Sequence, residues 1–318
     1  MRTKAFWPAV LSLALACGDG GTGPSIPTVG TIGPIPDGLT GKVAFVISGV
    51  VTSSGGSHVE SKVHMIDMAS PADRVIYTAP PNFSIQGLTW APSAQNVVVQ
   101  TTLFQVDPDG HNTSIWQFHS VTTAGADTPF GYGRSGPLFH PAYSPNSRLA
   151  YFGGFSDDPT AGIFVDGSPI HPVPFSSSSY LSWRPDVNAI IYSGLGIGLQ
   201  ELKLDGGAVR ELFAREGDET IQEPAVSPDG SRIAMLRLGG NRNLQEIWTI
   251  DSAGANPQQL TAGFGDGFPA WTPNGTYLAF SRYGGNAPGI YVMPSSGGTP
   301  VRVVAISSQG TGPMAWSR

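Results

Sequence analysis

Short apolar runs separated by polar turns fill the chain from residue 42 onward, and no amphipathic helical stretch follows the first 16 residues. Such a pattern predicts strands joined by tight turns. The clearest unit is residues 268–282, FPAWTPNGTYLAFSR. It has an apolar strand ending at Trp271, a turn at Pro273-Asn274-Gly275, and a second apolar strand over residues 277–280. Asn-Gly between two apolar runs signals a hairpin, because both residues tolerate positive φ. The unit recurs as EPAVSPDGSRIAMLR (223–237), HPAYSPNSRLAYF (140–152), YLSWRPDVNAIIYS (180–193) and GLTWAPSAQNVVVQ (87–100). An apolar anchor precedes each turn, at Trp90, Tyr143, Trp183, Val226 and Trp271. The anchors are spaced about 40 to 45 residues apart, with one longer gap after Trp90, which is the period of four-stranded propeller blades.

The two ends complete each other. Residues 42–47 (KVAFVI) match the second half of the unit, and residues 313–318 (PMAWSR) match its first half. A blade built from both ends would close the ring and leave no unpaired edge. The expected fold is therefore all-β: a six-bladed propeller over residues 40–318, with five internal copies and one shared copy. Third strands are expected over residues 62–67, 114–119, 161–165, 201–205, 246–251 and 289–294.

Composition agrees. Forty-two glycines and 28 prolines fit many tight turns, and only 13% of residues are charged. Net charge is −6 with no basic run, which argues against nucleic acid as a partner. The single cysteine, Cys17, rules out an intramolecular disulfide. It follows Arg2, Lys4 and a 12-residue apolar run, too short to span a bilayer and of the form of a secretory signal over residues 1–16. Residues 14–17 (ALAC) resemble a bacterial lipobox, with Ala14 where leucine is usual. That resemblance implies that Cys17 is lipidated and becomes the mature N-terminus. The only membrane contact is then the lipid, and Gly18 directly after Cys17 points to the outer membrane. Cleavage removes Arg2 and Lys4, leaving 15 basic against 23 acidic residues, net −8. Residues 17–39, rich in Gly, Pro, Ser and Thr, read as a tether with too little apolar surface to offset its ordering entropy.

The repeat text, PAVSPDGSRIAM followed by IWTIDSAGANPQQLT, resembles the WD-like repeat of TolB-type six-bladed propellers. The resemblance is strongest from about residue 180 to the C-terminus and weaker over residues 42–172. It implies a bacterial envelope protein, periplasmic or associated with the outer membrane, whose propeller is a binding platform.

Catalytic motifs are mostly missing. No Gly-x-Ser-x-Gly pentapeptide occurs, and the repeats use up the chain that a hydrolase domain would need. The six histidines show no zinc-type spacing. Residues 107–112 (DPDGHN) look like part of a calcium loop but lack its downstream glutamate, and read as a turn. No catalytic residue, metal or cofactor is assigned. The alternative is an enzyme acting on a glycan at the channel mouth, with or without a metal. A purely structural surface module is the third reading.

Topology locates a binding site. Each innermost strand starts on one face of the ring, and the loops between second and third strands return to that face. Irregular length collects there, at residues 51–60, 101–113 and 122–138, and recognition usually sits on such loops. The residue three before each anchor should ring the channel mouth: Gly87, His140, Tyr180, Glu223, Phe268 and Pro313. His140, Tyr180 and Glu223 should form an arc, with Tyr132 and Arg134 at its rim and Phe268 in an apolar wall. Such an arc suits a polar ligand or an extended segment of an envelope protein.

Overall fold

The computed structural model describes residues 26–317, apart from 54–55, 107–111, 132–135, 156–157, 195, 240–244, 263–264 and 308–310. The signal segment and Cys17 lie outside the described residues. Every regular element among the described residues is a strand. The chain opens with β1 (Val29–Ile32), β2 (Lys42–Ser53), β3 (Gly56–Asp67) and β4 (Arg74–Thr78). Blade 1 is β5 (Phe83–Trp90), β6 (Asn96–Val106), β7 (Asn112–Thr122) and β8 (Asp127–Phe130). Blade 2 is β9 (Leu138–Tyr143), β10 (Leu149–Gly153), β11 (Gly162–Val165) and β12 (Ser168–Pro172). Blade 3 is β13 (Tyr180–Trp183), β14 (Ala189–Ser193), β15 (Leu199–Lys203) and β16 (Val209–Phe213). Blade 4 is β17 (Thr220–Val226), β18 (Arg232–Leu238), β19 (Gln245–Asp251) and β20 (Gln258–Gln259). Blade 5 is β21 (Asp266–Trp271), β22 (Tyr277–Arg282), β23 (Gly289–Pro294) and β24 (Val301–Ile306). Last comes β25 (Thr311–Trp316), which pairs with β2 to make blade 6 in the order β25-β2-β3-β4.

The shared blade is built like the others. In blades 2, 4 and 5 the residue after the anchor is a hydroxyl that accepts from the backbone at the start of the second strand. Arg148 N–H donates to Ser144 Oγ at 2.8 Å, Arg232 N–H to Ser227 Oγ at 3.0 Å, and Tyr277 N–H to Thr272 Oγ1 at 3.1 Å. In blade 6, Lys42 N–H donates to Ser317 Oγ at 2.8 Å across 275 residues of chain. The same bond forms whether or not the turn is covalently continuous.

The apolar core is a set of layers between blades rather than one central mass. Each of six buried clusters draws its side chains from two neighbouring blades. Near the axis the blades are also stitched by hydrogen bonds. Trp90, Trp183 and Trp271 donate their indole N–H to the carbonyls of Ala315, Ala142 and Ala225 in the preceding blade. Blades 2 and 4 have no anchor tryptophan. There Thr89 Oγ1 and Ser182 Oγ accept from the backbone N–H of Tyr143 and Val226. Trp316 departs from this rule and donates to Thr40 O at 2.8 Å, because the incoming N-terminal segment occupies that position.

That segment corrects the expected tether. Over residues 26–39 the chain lies on the ring. β1 adds a fifth strand to blade 5 by pairing with β24, and Ile26, Val29, Ile32 and Ile35 pack on the layer between blades 5 and 6. Spaced by Gly, Pro and Thr, these four side chains show no strand period in sequence, yet they find a ready apolar surface. Two loop expectations change as well. The stretches at 51–60 and 101–113 are largely strand, since β2–β3 and β6–β7 continue as long hairpins on the mouth face. The connection over 122–138 contains β8, the fourth strand of blade 1.

The opposite face carries the short turns, and Asp229 shows how they are held. It accepts from Ser227 Oγ at 2.6 Å, Ser231 N–H at 3.1 Å and Ser231 Oγ at 2.7 Å. These bonds favour the ionised carboxylate and lower its pKa. Asp229→Ala is expected to cost about 1 kcal/mol in denaturant unfolding through loss of the turn bonds. Binding at the mouth should stay as in wild type.

Candidate functional site

Three mouth residues share an unusual backbone. His140, Glu223 and Phe268 are not glycine, yet their φ values are +49°, +53° and +54°. Each is followed by proline, which has no N–H for the strand ladder. Pairing therefore skips. Phe139 and Ala142 face Phe152 and Ala150, leaving His140 and Pro141 opposite one residue. The same two-against-one bulge holds Glu223-Pro224 and Phe268-Pro269. Left-handed backbone at a non-glycine costs on the order of 1–3 kcal/mol and persists only where the surroundings enforce it.

The bulges link successive blades side by side. His140 N–H donates to Gln100 Oε1 of blade 1 at 3.4 Å. Phe268 N–H donates to Glu223 Oε2 of blade 4 at 2.5 Å. Blade 1 has glycine at the matching place, because a Cβ on Gly87 would lie 2.9 Å from Pro141 Cδ and 3.2 Å from Gln100 Oε1. Gly87, His140, Tyr180, Glu223, Phe268 and Pro313 all line the axial channel, whose cavity is about 210 Å³. The expected arc is therefore present in space. The rings of His140 and Tyr180 are 3.8 Å apart between centroids. Tyr180 and Glu223 are close enough for the carboxylate to raise the phenol's pKa. Tyr132 and Arg134, expected at the rim, lie outside the described residues, as does most of the 107–112 turn.

Desolvation dominates the electrostatics. Glu223 is 8% exposed and has no cationic partner among the described residues. Burial raises its pKa to about 8, against the opposing bond from Phe268 N–H. His140 is pushed down to about 4 by burial. Its Nε2 lies 2.7 Å from Ser177 O, which can only accept, so Nε2 carries the proton and Nδ1 is left as an acceptor. Tyr180 keeps a partly exposed face on the channel. It nevertheless sits deep within the ring, and its pKa is raised first by desolvation and then by Glu223 and Tyr283.

Tyr283 was not legible in the sequence. It follows β22 on the loop to β23, and its pKa is raised by burial and then by Glu223. Gly267 separates the pair: a Cβ there would be 3.3 Å from Glu223 Oε2 and 3.5 Å from Tyr283 Oη. Beside them, Arg282 forms a two-bond pair with the fully buried Asp266 at 2.6 and 2.8 Å, and lies 4.6 Å over the Tyr291 ring. Its charge is thus already matched. The other missed residue is Gln100, fully buried in β6, whose polar type gave no hint of contact with the next blade. No group of three His, Cys, Asp or Glu among the described residues is placed to hold a metal ion.

No family model matches the chain. Its fold is similar to TolB from Acinetobacter baumannii, with a TM-score of 0.61 and 16% identity over 89% of this chain and 68% of that chain. A putative TolB from Agrobacterium tumefaciens gives 0.58 and 16%, over 88% of this chain and 100% of that one. A chain of the nidogen/laminin complex gives 0.58 and 10%, over 87% and 99%. Likeness at these identities is likeness of fold. In fold, then, the chain is a TolB-type six-bladed β-propeller.

Proposed function

We propose that this protein is a non-catalytic binding platform of the cell envelope. A lipid on Cys17 holds it to the membrane, and the channel mouth receives an extended segment of an envelope protein. One observation carries the reading: a nearly buried carboxyl, with no cationic partner among the described residues, faces the channel from a strained bulge, beside two tyrosines. Its Oε2 already links blade 4 to blade 5 through Phe268 N–H, and its second oxygen is left for a ligand. The mouth face also carries Phe104, Ile115 and Phe155, three of the few large apolar side chains exposed among the described residues. Such exposed apolar side chains on one face suit a protein partner better than a free solute. The nidogen/laminin neighbour is a propeller chain named for a protein complex, which fits without deciding the partner.

Photocrosslinkers placed at position 155 and at position 229 test the face in envelope preparations. The expected adduct forms from 155 and not from 229. An adduct from 229 alone would place the working surface on the turn face. Cys17→Ser is expected to leave the protein unprocessed or to release it from membranes. Wild-type protein that takes up no fatty-acid label would end the lipoprotein reading.

One observation favours a second reading, an enzyme acting on a glycan at the same mouth. A carboxyl with a pKa of about 8 and, across Tyr180 on the same channel, an imidazole at about 4 are two groups pushed apart in pKa, as acid–base chemistry requires. Turnover of an envelope glycan that disappears in Glu223→Gln would favour it, and metal analysis of the active protein would show whether an ion takes part.

A further inference from the structure

Glu223 Oε1, Tyr180 Oη and Tyr283 Oη have no hydrogen-bond partner among the described residues. Tyr180 and Glu223 open onto the channel. The groups are mutual neighbours: Glu223 acts on both phenols, and Tyr283 acts on Tyr180. Tyr180 and Glu223 line the channel, Tyr283 stands behind Gly267, and among the described residues no unmatched positive charge faces this nearly buried carboxyl. Around Glu223 stand the Phe268 N–H, the two neutral phenols, neutral His140 against Tyr180, and the Asp266–Arg282 pair, matched within itself. What is missing is a group with several N–H donors and one positive charge. An anion would meet the phenol O–H donors but no unmatched positive charge among the described residues, and it would face the Glu223 carboxylate once that group ionises.

Resting on the binding-platform reading, we propose that the mouth pocket takes a primary ammonium group, a lysine head or amino terminus borne by an extended partner segment, with Glu223 as its counter-ion. An ammonium carries three donors, and Glu223 and Tyr180 supply acceptors on the channel, with Tyr283 next to Glu223 across Gly267. The whole axial channel holds a cavity of about 210 Å³, room for one extended alkylammonium side chain and small for a drug-sized ligand. Binding is coupled to proton release. The empty site holds Glu223 neutral below about pH 8, and the arriving charge ionises it.

Calorimetric titration with Nα-acetyl-lysine amide, and with its norleucine counterpart that lacks only the ammonium, tests this. The lysine compound is expected to bind about tenfold more tightly per pH unit from about pH 6 to 7.5, levelling above about pH 8 while its own amine stays charged. Below that plateau it should release close to one proton. The norleucine compound should not bind. Nε-trimethyl-lysine, which has no N–H donor, should bind at least tenfold more weakly than lysine. Glu223→Gln should lose the lysine compound at pH 8.5 while melting no lower than wild type. Equal binding of norleucine, affinity that falls as pH rises, unimpaired binding by Glu223→Gln, or no binding of any compound would each overturn the ammonium assignment. The platform reading is judged separately by the crosslinks from positions 155 and 229, so the two can fail independently.

Discussion

Deleting residues 311–318 is expected to leave a chain that no longer unfolds as one cooperative unit. β25 is the innermost strand of the shared blade, and its loss bares the ladder of β2 at Val43, Ala44 and Phe45. It also strips cover from Val43, Phe45 and Ile47, all fully buried, and removes the carbonyl that holds the Trp90 indole. The damage spreads to both neighbours, because cohesion lies between blades. A gentler version is Trp316→Ala. The ring is 5% exposed and donates to Thr40 O, so truncation should cost about 3–5 kcal/mol in denaturant unfolding. A truncated protein that melts like wild type would show that closure rests elsewhere.

The second large effect concerns Glu223 and runs counter to the usual outcome of replacing a buried charged residue. Its folded pKa, about 8, lies above the ordinary carboxyl value of 4.5. For an acid raised in this way, native stability is greatest below the unfolded pKa. It is lost as pH rises from there to the folded pKa. At pH 7 the unfolded chain has shed the proton that the native state keeps, a cost of up to about 3 kcal/mol. Glu223→Gln removes that cost and retains an oxygen for the Phe268 N–H. It should therefore stabilise the protein by up to about 3 kcal/mol at pH 7 and about 4 kcal/mol near pH 8, with the gain vanishing near pH 4. His140 works in the other sense. Its pKa is lowered to about 4, so its contribution is whole above 6.5 and is lost as pH falls toward 4. Chemical denaturation of both proteins between pH 4 and 8.5 separates the two effects. A gain from Glu223→Gln that does not vary with pH would mean that the carboxyl does not titrate in this range.

The ring and its closure were legible because the repeat is written in residue types that physics constrains locally. Turn glycines and asparagines, an anchor before each turn and alternating apolar strands need no knowledge of neighbours. The mouth arc could be placed from topology alone, since strand direction determines which end of each inner strand reaches that face. What could not be read depends on contacts between blades. Tyr283 and Gln100 lie outside the repeat's anchor positions, and their partners are about 40 to 60 residues away in sequence. The bulges were half visible: His-Pro, Glu-Pro and Phe-Pro recur three residues before the anchor, but positive φ before proline is not something composition predicts. The N-terminal strand escaped notice for the opposite reason. Its few isoleucines and one valine are too sparse to suggest an element, and only the exposed flank of blade 5 makes them one.

Under the proposed lipid anchor, that flank strand would also set how the protein stands at a membrane. Its descent begins at the mouth, where Thr28 N–H meets Ser307 at the end of β24, and finishes at the turn face, where the carbonyls of Asp37 and Gly38 receive Tyr277 and Asn274. Ile26, the first described residue, is thus pinned beside Gly49 on the mouth side. From Cys17 to Ile26 is a stretch of chain that reaches at most about 30 Å. Under the proposed acylation of Cys17, the ring would hang mouth-first toward the bilayer, with a gap beneath it no wider than about one small domain. The anchor would then act as a thickness filter: a strand-like segment could slide into that gap and reach the channel, whereas a bulky folded partner would be stopped at the rim.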